Sequence, residues 1–137
     1  MSTALLAAVR AAAPDRPAID DGERHVSYGE LAALVAAEQR FIDTAHPARC
    51  ALLAENGIAW AVADLALLEA GVPQLPLPTF FTTAQARHAL DDAGIDTLLT
   101  DQPARVAADL PSFTAAGVSP ATGLHRFTRT VATPPAL

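Results

Sequence analysis

The stretch from Asn56 to Pro78, NGIAWAVADLALLEAGVPQLPLP, constrains the fold of this chain more than any other. Ile58, Ala61, Val62, Leu65 and Leu68 recur at helical spacing, and the residues between them are almost all apolar as well. A helix that is apolar on most sides belongs inside a packed structure, because it has no wet face to offer. In a chain of 137 residues, that points to a piece of a larger protein. Asn56 is expected to cap the helix start by accepting a first-turn amide. Gly71 is expected to end it, since a residue without Cβ adopts the left-handed conformation of a helix stop at little cost. The run from Val72 to Pro78 reads as extended but carries Pro73, Pro76 and Pro78, so any strand there must be short. Asp64, the carboxylate within this apolar helix, is read as its solvent-facing or interdomain stripe.

The flanking sequence supplies the rest of an α/β pattern. Leu5, Leu6, Val9 and Ala13 trace an amphipathic first helix, and Pro14 and Pro17 bracket the break after it. Asp21-Gly22 between two short extended runs predicts a β-hairpin over about residues 17–27, because glycine tolerates the positive φ of a tight turn. Ser27 and Glu30 have capping-box spacing. They open a helix carrying Leu31, Leu34, Val35, Phe41 and Ile42, with Glu38 the one polar interruption, and ending before His46-Pro47. Cys50 to Ala54 is a short apolar run without alternation, as in a strand covered on both faces.

Thr82 and Gln85 form a second capping-box pair, starting a helix that ends at Gly94. Asp96 to Thr100 reads as the next buried strand, with a short helix through Arg105 to Ala108. Weaker extended runs follow at Phe113–Val118 and Leu124–Thr130. The expected fold class is therefore α/β: a partial parallel βαβαβ sheet over about residues 50–101, flanked by helices and preceded by a helix and a hairpin. Two right-handed crossovers are the economical way to connect it. Residues 1–131 are expected to form one subdomain, with 132–137 a linker or tail.

Chemistry is sparse in this chain. The formal charge of -6 weighs against nucleic acid as a partner, since that requires clustered positive charge. All nine basic residues are arginine, so no lysine can serve as Schiff base, general acid or phosphate-loop cation. Cys50 is the one cysteine and reads as a small buried hydrophobe. His25, His46, His88 and His125 lack metal-ligand spacing. Asp91-Asp92 is an adjacent pair whose side chains diverge on a helix and solvate its face. No catalytic, cofactor-binding or metal-binding residue is assigned. Phe80 and Phe81 are the candidate substrate-binding residues: they follow an extended run and open a helix, where open α/β sheets place ligand loops, and could line an acyl or aromatic pocket. A hydrophobic staple at the helix entry is the competing reading. No run reaches the ~18 apolar residues of a membrane span, and a cytoplasmic location is expected.

The ordered set RPAID-DGERHVSYGEL, RCALLAENGIAWAVADLALLEAGVPQLPLP and TTAQARHALDDAGIDTLLTD resembles the start of the adenylate-forming (AMP-binding) superfamily. That group includes acyl-CoA synthetases, fatty-acid-CoA ligases and nonribosomal adenylation domains. Pro17-Ala18-Ile19, Ser27-Tyr28, Glu30-Leu31, Asn56, Trp60, Ala70-Gly71 and Pro76-Leu77 fall at the family's positions. The resemblance implies an N-terminal subdomain of an enzyme that activates a carboxylic acid, fatty or aryl, as an acyl-adenylate before transfer to a thiol. ATP, Mg²⁺ and coenzyme A are implied for that parent enzyme and none of them for this chain. The family's phosphate loop, its aromatic-Gly-x-Thr-Glu motif, its ribose-binding Asp and its catalytic Lys have no counterpart here. The chain alone is accordingly expected to be inactive. Its expected partner is the remainder of the parent enzyme, or a second copy through exposed apolar surface. The alternative reading is a non-catalytic interaction module.

Overall fold

The computed structural model describes residues 4–131. The expected linker at 132–137 and the side chains of Leu5 and Leu6 lie outside the described residues. Helix α1 (Ala4–Ala11) stops short of Ala13, which is exposed. Strands β1 (Pro17–Asp20) and β2 (His25–Ser27) pair antiparallel as the expected hairpin. Gly22 takes φ 91° at its tip, where the Asp21 carboxylate accepts the amides of Glu23 and Arg24. Those two amides hold the Asp21 carboxyl below its usual range.

Ser27 then caps α2 (Tyr28–Asp43): its hydroxyl accepts the Glu30 amide, and the Glu30 carboxylate accepts the Ser27 amide. The second box, Thr82 with Gln85, caps α4 (Thr83–Asp92) in the same reciprocal way. Between them lie β3 (Cys50–Leu53), α3 (Ile58–Ala70) and β4 (Gln74–Pro76), and after them β5 (Thr97–Thr100) and α5 (Pro103–Asp109). Strands β3, β4 and β5 are parallel, in the spatial order β4-β3-β5. The weaker extended runs become β6 (Thr114–Val118) and β7 (His125–Thr128); β7 pairs antiparallel with β5, and β6 pairs antiparallel with β7. The sheet is therefore five-stranded and mixed, in the order β4-β3-β5-β7-β6, with the expected parallel βαβαβ part formed by β3, β4 and β5.

Each buried strand feeds two cores, because successive side chains point to opposite faces. Cys50 and Leu52 of β3 and Leu99 of β5 pack with α2 and α3, together with Val26 of the hairpin and Val9 of α1. Ala51, Leu53 and Leu98 pack on the other face with Leu90 of α4 and Val106 of α5. Helices α3 and α4 thus cover opposite faces of the sheet.

Glu38, the polar interruption in α2, is buried with no exposed surface. Its carboxylate accepts hydrogen bonds from the hydroxyls of Ser119 and Thr122, in the turn between β6 and β7. Arg126 of β7 reaches back to the Phe41 carbonyl and the Thr44 hydroxyl and lies over the Phe41 ring at 4.0 Å. These contacts dock the antiparallel half of the sheet against α2. Gly71 meets expectation: it ends α3 at φ 71°, and the Val72 amide returns to the Leu67 carbonyl.

Candidate functional site

In an open α/β sheet, ligands bind beyond the carboxyl ends of the strands, where neighbouring strands send their following loops to opposite faces. Strands β3 and β4 meet that condition. They are adjacent and parallel, and they lead into α3 on one face and α4 on the other. The loops leaving them diverge, and a groove of about 430 Å³ opens between. That volume lies within the range of small-molecule pockets.

One lip comes from the β3 side: Ala54, Glu55, Asn56 and, in the first turn of α3, Trp60. The other lip is Pro76 to Phe80, following β4. The main chain of the second lip starts from the sheet itself, since the Leu77 amide donates to the Leu52 carbonyl at 2.9 Å. The groove is lined chiefly by apolar side chains, with Asn56 and Glu55 at its polar edge.

The structure separates the two candidate phenylalanines. Phe80 lines the groove and is 82% exposed. Phe81 turns to the opposite face, packs against the α4–α5 core, and meets the Phe80 ring edge-on at a centroid distance of 5.8 Å. Asn56 is also not where the sequence pattern placed it. The N-cap position of α3 is Gly57, with no side-chain cap bond, and Asn56 stands exposed at the lip of the groove. Asn56 thus lies one position before the cap. Asp64 accepts a 2.6 Å hydrogen bond from Gln74 of β4, so it ties α3 to the edge strand.

Two groups that the sequence pattern did not single out shape the groove without lining it. The Asp101 carboxylate, just after β5, accepts the Glu55 amide at 3.0 Å. The Arg105 guanidinium, on α5, donates to the carbonyls of Thr79 and Phe81. A charged residue directly after a buried strand, and a second one four positions on, were the available signals.

The wider concavity, about 730 Å³, lies at the other end of the strands, by Gly94, Thr114 and Thr128. Its arginine, Arg129, bonds to Asp91 at 2.8 Å and to the carbonyls of Leu90 and Ile95, and lies over Phe113. With that cation engaged, and at the amino ends of the parallel strands, the position is the less suited to a ligand. Among the described residues no group of three or more His, Cys, Asp or Glu side chains is placed to hold a metal ion. Burial, followed by the charges of Asp96 and Glu38, pushes the Cys50 thiol well above its ordinary value, so it is a core residue and no nucleophile. No described helix is long and apolar enough to cross a membrane.

The sequence matches the profile of the family described as AMP-binding enzyme over residues 6–131. The chain belongs to that family. A comparison with curated proteins finds none that matches it. Among solved structures, this chain is similar to the Vibrio cholerae adenylation domain AlmE in complex with glycyl-adenosine-5'-phosphate, at 24% identity and TM-score 0.70, covering 79% of this chain and 21% of that one. It is also similar to O-succinylbenzoate coenzyme A synthetase (MenE) from Bacillus subtilis, in complex with AMP, at 25% identity and TM-score 0.66, covering 72% and 26%. A third is the Klebsiella oxytoca NpsA N-terminal subdomain in complex with 3-hydroxybenzoyl-AMSN, at 22% identity and TM-score 0.66, covering 71% and 26%. The chain thus spans about a quarter of the length of these relatives.

This groove does not fit a nucleoside triphosphate. Such a ligand calls for cations or converging N–H donors. The groove presents the Glu55 carboxylate and no arginine among its lining residues, and the nearby Arg105 is engaged by carbonyls.

Proposed function

We propose that this chain is the N-terminal subdomain, residues 1–131, of an acid-activating ligase, and that its groove forms part of the wall holding the carbon skeleton of the acid. In the reaction proposed for the whole enzyme, the acid carboxylate attacks the α-phosphorus of ATP. The α–β phosphate bond breaks, and pyrophosphate leaves. A thiol then attacks the acyl carbon and releases AMP. Mg²⁺ and coenzyme A are the companions the family resemblance implies, and this chain supplies binding surface rather than chemistry. The carrying observation is an apolar, arginine-free groove at the β3/β4 switch point of a chain in the AMP-binding family. Trp60, Leu77 and Phe80 suit a fatty or aryl group, and Phe81 supports Phe80 from behind.

Trp60 is the one tryptophan of the chain and lines the groove, so its emission reports occupancy. Titration with octanoate or benzoate is expected to give a saturable change, weakened about tenfold in Phe80→Ala, as expected on losing a large aromatic contact. No saturable change with either acid would count against the groove as the acid's wall. The chain alone is expected to give no carboxylate-dependent ATP–pyrophosphate exchange above a heat-killed control.

A further inference from the structure

Phe80 combines two properties that seldom occur together. The residue is 82% exposed, yet the main chain on both sides of it is held. Arg105 Nη1 donates to the Thr79 carbonyl at 2.7 Å, and Nη2 donates to the Phe81 carbonyl. Nη1 also reaches Gln102 Oε1 at 3.2 Å, which orients the guanidinium from the N-cap position of α5. The planar fork suits this task, because one rigid group can satisfy two carbonyls at once and a lysine ammonium cannot reproduce that geometry. The opposite lip is held from the same segment. Asp101 accepts the Glu55 amide at 3.0 Å, while its own amide donates to the Leu53 carbonyl. Neither Asp101 nor Arg105 lines the groove.

We infer that Asp101 and Arg105 are positioning residues that brace the two lips of the groove from β5 and α5, Arg105 fixing Phe80 as a preformed wall. An exposed aromatic on a loose loop would have to be ordered when a ligand arrived, at a cost in affinity that the brace removes beforehand. The inference rests on the reading of the groove as an acid-binding wall only for its consequence in binding; the brace itself is tested without any ligand.

Chymotrypsin cleaves after exposed phenylalanines, but only where the backbone can open into the protease. Cleavage after Phe80 is therefore expected to be slow in the parent chain. It is expected to rise at least about tenfold in Arg105→Ala, with Arg105→Lys intermediate, while thermal midpoint and far-UV dichroism stay close to the parent's. Asp101→Ala is expected to leave cleavage after Phe80 unchanged and to speed amide exchange at Glu55. Equal cleavage after Phe80 in the parent and in folded Arg105→Ala overturns the brace. So does faster cleavage spread evenly over all sites with a lowered midpoint, which would mark Arg105 as a general stabiliser. Octanoate titration of Trp60 then separates the two proposals. Weaker binding in Arg105→Ala supports both, whereas selective cleavage with no octanoate signal in the parent keeps the brace and removes the acid-binding reading.

Discussion

Glu38 is kept in the core by its partners. Burial pushes its carboxyl above the ordinary glutamate value, while the hydroxyls of Ser119 and Thr122 and the charge of Arg126 pull the other way. Because the folded state holds the proton more readily than the unfolded chain, Glu38 favours folding at pH below the ordinary glutamate range. That contribution is lost as pH rises through the folded-state value. Glu38→Gln removes this titration and leaves a side chain of the same shape. Urea midpoints of parent and variant across this range should therefore diverge in one direction, with the parent losing stability relative to Glu38→Gln as pH rises. A difference that is flat with pH refutes the assignment. The sequence presented Glu38 only as a break in an apolar stripe. Its partners lie 81 and 84 positions away, and no local spacing encodes such a pair. Asp101 and Arg105 escaped notice for the same reason, their acceptors and donors lying on other loops.

At the level of elements, what was legible is what closes locally. Both capping boxes join residues three positions apart and form as read. Strand β3 announced itself through an unbroken apolar run and β5 through a short apolar pair between threonines, while Gly71 did so through its position after a mostly apolar helix. Strands β6 and β7 were faint because Thr114–Val118 is largely exposed and its pairing shifts register between Ala115 and Val118, which erases alternation. The Gly71 stop can be weighed separately from packing, since a Cβ there would meet nothing within 4 Å. The whole cost of Gly71→Ala is then the left-handed backbone, about 1–2 kcal/mol. Gly71→Asn should cost less, because asparagine tolerates this conformation better than alanine does. Urea denaturation of the two variants checks the order, and an alanine variant as stable as the parent contradicts it.

The molecule as a whole is two cores divided by one sheet, and its behaviour depends on whether they act together. Consecutive residues of β3 serve alternate faces, Leu52 towards α2 and α3 and Leu53 towards α4 and α5, and β5 repeats the arrangement with Leu99 and Leu98. Neither core can dissolve without baring one side of strands that the other core needs. This sharing predicts a single unfolding transition. The one tryptophan makes the prediction testable, since Trp60 packs against the α2–α3 core only. Leu90 of α4 is fully buried in the opposite core, and Leu90→Ala there should cost about 2–5 kcal/mol through the cavity it leaves. If the sheet couples the two faces, Trp60 emission and far-UV dichroism report the same lowered urea midpoint in this variant. If the Trp60 midpoint stays at the parent's value while the dichroism shifts, the faces unfold independently. The groove lips, one from each face, would then lack a common rigid base.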